Sequence, residues 1–130
     1  MKTKGSKLVL DAKAEYPGVA EYRLSLEFYV FVDGGDHIAY CPSLDISTSG
    51  DNFNEAVANF CECLRAHIDW CVERGTLLDD LASHGWRKRK TTLTPPSFSS
   101  MLKKKEVRSL LGGSTAYEKV VIPARVPLSV

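Results

Sequence analysis

One stretch settles most of what this chain can fold into. From Asn52 to Gly75, at 100° per residue, Phe53, Val57, Phe60, Leu64, Ile68 and Cys71 fall on one face. Glu55, Glu62, Asp69 and Glu73 fall on the opposite one. A helix with a single apolar stripe must bury that stripe against another layer, so it is laid on a sheet. Its ends are written in the sequence. Asn52 stands at an N-cap position with Glu55 three residues on, a capping box, and Gly75 is a natural C′ residue.

The sheet lies upstream. From Tyr22 to Val32 the residues alternate, with Tyr22, Leu24, Leu26, Phe28, Val30 and Val32 on one face. Asp33-Gly34-Gly35-Asp36 is a tight hairpin turn, because paired glycines accept the positive φ it needs. His37 to Cys41 is the second strand and Asp45 to Ser49 a weaker third. Lys7 to Glu15 reads as a short strand or a frayed start, and Tyr16-Pro17-Gly18 as a turn.

Downstream, Thr76 and Asp79 suggest another capping box, opening a short helix through Leu77, Leu78 and Leu81 that ends near Gly85. Trp86 to Leu93 returns to the sheet as one strand. Thr94-Pro95-Pro96 breaks the pattern and separates an α/β domain, 1–93, from an extension, 94–130. In the extension, Phe98, Met101 and Leu102 form one helical set and Val107, Leu110 and Leu111 another. They point to different sides, so two short helices or one kinked helix are expected. Tyr117 to Leu128 is extended. Pro123 and Pro127 remove ladder donors, which places it on an edge or sends it to a partner. The expected class is α+β: an antiparallel sheet of three to four strands covered by a long helix, with an α/β extension.

The net charge of +1 hides a division. Residues 11–85 carry fourteen acids against four Lys/Arg, whereas residues 86–130 carry ten Lys/Arg against two acids. Such a split means two different partners or one half folding onto the other. An acidic body repels nucleic acid and attracts basic protein surfaces. The first residues lack the apolar core of a signal peptide, and no apolar run approaches a membrane span. Cys41, Cys61, Cys63 and Cys71 do not form a disulfide framework, so reduced thiols and a cytoplasmic location are expected.

The segment from Phe28 to Trp70 resembles the HicB antitoxin family of bacterial toxin–antitoxin modules. The resemblance rests on the turn Gly34-Gly35, the segment Tyr40-Cys41-Pro42-Ser43-Leu44-Asp45, and Gly50-Asp51-Asn52-Phe53-Asn54-Glu55-Ala56 entering the helix. The family's usual Asp-Leu-Pro-Gly-Cys is replaced here by Ser43-Leu44-Asp45-Ile46-Ser47 after Pro42, and no C-terminal DNA-binding module follows Thr94, so operator binding does not carry over. The resemblance implies a partial ribonuclease-H-like domain, an oligomer (dimer or tetramer), no enzymatic activity and no cofactor. Its partner would be a small basic RNA-cleaving toxin of the HicA type. Asp33, Asp36, Asp45, Asp51, Glu55, Glu62 and Asp69 are the acidic residues expected to face it. The alternative from another class is an oligomeric scaffold of the same fold without a toxin.

Other chemistries weigh less. Cys63, His67 and Cys71 at i, i+4, i+8 could ligate a metal, but that face is apolar and a core helix commonly contains such residues, so no metal is expected. Asp33, Asp36, Asp45 and Asp51 invite a two-metal nuclease reading, yet turn and cap chemistry accounts for them. No Gly-x-Ser-x-Gly, phosphate loop or His-Glu-x-x-His occurs. Arg87, Lys88, Arg89, Lys90, Lys103, Lys104 and Lys105 are candidate nucleic-acid contacts, part of a third reading in which residues 86–125 bind nucleic acid through phosphates.

Overall fold

The computed structural model describes residues 20–113 and 115–128; the expected strand at Lys7–Glu15 and turn at Tyr16–Gly18 lie outside them. Three strands come first: β1 (Ala20–Asp33), β2 (Asp36–Cys41) and β3 (Ile46–Gly50). Helices α1 (Phe53–Arg74) and α2 (Leu77–Ser83) follow. Strands β4 (Arg87–Arg89) and β5 (Thr92–Thr94), helices α3 (Phe98–Met101) and α4 (Lys105–Gly112), and strand β6 (Tyr117–Leu128) complete the order.

The result is a mixed α+β fold with a six-stranded sheet, ordered β3-β2-β1-β5-β4, with β6 on the other side of β1. This is more strands than expected, and not all antiparallel: β5 runs parallel to β1 through Arg23↔Thr92 and Leu24↔Leu93. The expected single strand from Trp86 to Leu93 is instead a hairpin. Lys90 takes a left-handed conformation, φ 52°, and folds β4 back on β5.

β1 is paired on both edges. β6 follows it from Ala20↔Leu128 to Phe31↔Tyr117. On the other edge, β2 takes Tyr29 to Asp33 and β5 takes Arg23 and Leu24. The Arg23 amide donates to the Thr91 carbonyl at 2.7 Å, so odd-numbered residues of β1 direct their backbone groups toward β5 and β2. Even-numbered ones direct theirs to β6, and by register Ala124 pairs inward while Pro123 faces outward. The N–H that Pro123 lacks is therefore missing from the free edge, where it discourages further strand pairing.

Leu24, Leu26, Phe28 and Val30 are buried on the face covered by α1, as the alternation requires. Val32 is 54% exposed, because it sits beside the hairpin turn where the sheet ends. The Phe28 and Phe60 rings stack with centroids 4.1 Å apart, joining strand to helix at the centre of the core. The other face of β1 has its own smaller cover. Tyr29 meets Tyr117 edge-on at 5.4 Å, and α4 buries Val107 and Leu110, the latter beside Phe31.

The helix caps are as expected for α1: the Asn52 side chain accepts from the Glu55 amide and Gly75 is left-handed at φ 69°. They differ for α2. Thr76 makes no side-chain cap; it follows Gly75 directly in a non-extended conformation, and its hydroxyl donates to the Cys71 carbonyl at 3.5 Å.

The N-terminal turn of α1 approaches β3 so closely that Ala56, not Phe53 or Val57, is the fully buried residue there. The Thr48 hydroxyl donates to the Ala56 carbonyl at 3.3 Å and the Asn59 amide to the Ser49 carbonyl at 2.8 Å. A Cβ on Gly50 would lie 2.5 Å from the Ala56 nitrogen and 2.8 Å from the Glu55 carbonyl carbon. Backbone atoms cannot step aside as a side chain can. Gly50→Ala is therefore expected to cost about 1–3 kcal/mol by overpacking. Urea denaturation would show this against Gly112→Ala, whose Cβ meets nothing within 4 Å; equal stability of the two variants would refute it.

Candidate functional site

The acidic residues come from three elements. On α1, Glu55, Glu62 and Asp69 recur every seven residues, with Glu73 four further on, so they form one stripe about 27 Å long. Glu55, Glu62 and Glu73 are exposed and Asp69 is half-buried. Glu55 also serves the fold, since its carboxylate accepts the Asp51 amide at 2.7 Å. Asp33 and Asp36 flank the hairpin turn, and the pair His37↔Gly50 sets that turn beside Asp51. Asp33, Asp36, Asp51 and Glu55 thus gather at one end of the molecule.

Asp45 does not join them. It lies at the other end of β2 and β3, beyond the Cys41↔Ile46 pair, roughly 15 Å away along the strands. The four aspartates considered for two-metal chemistry accordingly do not converge. Asp45 sits in a left-handed turn, φ 57°, and accepts from the Tyr40 hydroxyl at 3.4 Å. That turn is tied down from outside: the Trp86 indole donates to the Ser43 carbonyl at 2.8 Å and the Lys104 ammonium to the Pro42 carbonyl at 2.9 Å.

The basic candidates divide similarly. Arg87, Lys88, Arg89 and Lys90 make up the β4–β5 hairpin and its turn, and all are exposed. Lys88 places its ammonium 5.3 Å from the Tyr22 ring centroid. Lys103 and Lys105 are exposed beside the start of α4, whereas Lys104 is half-buried and committed to Pro42. Arg87 and Lys104 meet across an open cleft of about 660 Å³ that also presents His84, Thr94, Ser97 and Ser100.

Among the described residues, one group of potential metal ligands converges: His67, Cys71 and Asp80, with donor atoms within 4.8 Å of one another. The helix spacing that suggested Cys63, His67 and Cys71 finds two of these three. Cys63 is exposed one turn away, and Asp80 comes from α2. Burial first, and the Asp80 charge second, push the Cys71 thiol up from its ordinary value. All four cysteines are unbridged.

Sequence reasoning also missed Trp70, 58% exposed on α1, whose ring carries the Arg74 guanidinium 4.0 Å from its centroid. Its i, i+4 spacing to Arg74 was the available signal. Among the described residues no helix is long and apolar enough to cross a membrane. No protein-family model, curated protein or solved structure matches the chain.

The Tyr40 phenol lies among carboxylates. Burial first, then Asp45 and Glu106, push it up to about 12. A folded value above the unfolded value of about 10 favours the folded state while the phenol is protonated. This contribution is full below about pH 10 and lost as pH rises toward about 12. The difference in unfolding free energy between the protein and Tyr40→Phe should stay constant to about pH 10 and shrink above it. A difference still flat well above pH ~11 would contradict the assignment.

Proposed function

We propose that this chain is a non-enzymatic, oligomeric binding protein of the HicB antitoxin type, whose acidic helix face covers a small basic RNA-cleaving toxin of the HicA type in the bacterial cytoplasm. The observation that carries the proposal is the α1 stripe with exposed Glu62 and Glu73, which runs back through exposed Glu55 to the Asp33–Asp36 turn. A surface that binds RNA phosphates is positively charged, and a negative stripe of helix length is complementary to it. The order of strand, Gly-Gly hairpin, strand, short polar strand and capped helix supports a partial ribonuclease-H-like arrangement for residues 20–74. Exposed Tyr117 and Val121 on β6 supply apolar surface for association with a second copy.

The first test is the neighbouring reading frame. A small basic protein there, of about 60–80 residues with a double-stranded-RNA-binding pattern, is the partner to co-express; its absence favours the toxin-free scaffold. Glu62→Lys with Glu73→Lys is the cleanest reversal, because Glu55→Lys would also break the capping box. The double variant should weaken the complex at least tenfold and flatten its salt dependence, measured by calorimetry across ionic strengths. Unchanged affinity would remove the electrostatic basis of the proposal.

A second reading has its own observation, the four exposed cations of the Arg87–Lys90 hairpin beside a cleft lined with hydroxyls. It is sequence-independent contact with nucleic-acid phosphates. A shift at low salt that Arg89→Glu with Lys90→Glu abolishes would support it, and no shift would reject it.

A further inference from the structure

The cluster at the α1–α2 junction is built differently from an ordinary ion pair. His67 Nε2 lies 3.0 Å from Asp80 Oδ2 and 3.8 Å from Cys71 Sγ. One ring nitrogen therefore faces both the carboxylate and the sulfur. A Cys-His-Asp relay requires two nitrogens, one toward the nucleophile and one toward the acid. This geometry is not a relay. Three donors of different chemistry turned toward a common point are what a coordination site requires.

Two of the three edges are close to those of a bound ion. Bonds of about 2.0 Å to nitrogen and oxygen and about 2.3 Å to sulfur imply tetrahedral edges of roughly 3.3 Å and 3.5 Å. The observed 3.0 Å and 3.8 Å bracket these, and the third edge, from Cys71 Sγ to the Asp80 carboxylate, lies within 4.8 Å and closes by rotation of the half-exposed Asp80 side chain. The donor set is selective. A thiolate and an imidazole suit zinc, whereas magnesium and calcium prefer oxygen shells. Access is also provided: the His67 and Asp80 side chains are 30% and 24% exposed, so water can complete the tetrahedron from the solvent side.

We propose that His67, Cys71 and Asp80 form a mononuclear zinc site, with water as the fourth ligand, that staples α2 to the end of α1. The seven-residue α2 has reason to need it. It is short, and its N-cap residue Thr76 provides no side-chain cap. Two ligands are fixed one turn apart on α1, and Asp80 reaches them only when α2 is folded back across Gly75. Zinc binding and α2 ordering are then linked, since a ligand that binds only the ordered arrangement stabilises it.

The test uses the full chain, metal-stripped and kept reduced with a phosphine. Titration with cobalt(II) should give one equivalent bound, the visible bands of a tetrahedral ion and a thiolate-to-cobalt charge-transfer band, all displaced by zinc. Cys71→Ser should remove the charge-transfer band. His67→Gln and Asp80→Asn should each weaken binding by more than about 100-fold, beyond the loss typical of an outer-shell change. Cys61→Ser and Cys63→Ser should leave it unchanged. Zinc should slow amide exchange in α2 of the protein and not of His67→Gln. Cys71 is buried, so its variant could fail to fold; the two half-exposed ligands then carry the test. Absence of stoichiometric binding, binding that survives both His67→Gln and Asp80→Asn, or binding lost with Cys63→Ser would overturn the proposal.

Discussion

The sheet depends on β1 having both of its edges occupied. One edge is taken by β6 over twelve residue pairs, and the other is shared by β2 at one end and β5 at the other. Because side chains alternate, this single strand also supplies two apolar layers. Leu24, Leu26, Phe28 and Val30 meet α1, while Phe31 lies beside α4, and Tyr29 beside Tyr117 and beside Phe98 and Met101 of α3. Residues 20–93 and 94–128 are thus stitched through the same fourteen-residue strand. Its alternation sets the register of both layers, since a slip of one residue would exchange the two faces.

Features carried by local chemistry were legible in the sequence. The capping box at Asn52, the left-handed Gly75, the paired glycines of the hairpin and the alternation of β1 each specify their own structure. The two short helices after Pro96 were readable too, because their apolar sets point in different directions. What escaped is tertiary. Nothing local announces that Lys90, with no glycine beside it, turns left-handed and splits one strand into a hairpin. The parallel pairing of β5 with β1 joins residues about seventy positions apart. In the sequence Gly50 only precedes the helix start, but its role is to let the backbone of α1 come close. At the candidate metal site, helical spacing brought out His67 and Cys71, while Asp80 is near only because α2 doubles back.

The β2–β3 turn shows how polar groups are satisfied without an ionic core. Its carbonyls at Pro42 and Ser43 are met by Lys104 and by the buried Trp86. One of the lysines in the basic run Lys103-Lys104-Lys105 therefore works as a structural donor, unlike its exposed neighbours. Identical residues in a charge run can thus differ in role, and burial separates them where the sequence cannot.

The closing segment joins the sheet through its twelve-pair ladder with β1 and through apolar contact. Along β6, Val120, Ile122, Ala124 and Val126 face the main core. The ion pair Lys119–Glu27, at 4.0 Å between half-exposed side chains, adds little. Two of the charged elements lie toward opposite ends of β1. The Asp33–Asp36 turn sits at one end of this strand, and β5, carrying the basic hairpin, pairs near the other, some nine residues or roughly 30 Å away. At physiological salt, screening acts over about 8 Å, so a cationic group at the Asp33–Asp36 turn would feel little repulsion from the Arg87–Lys90 hairpin.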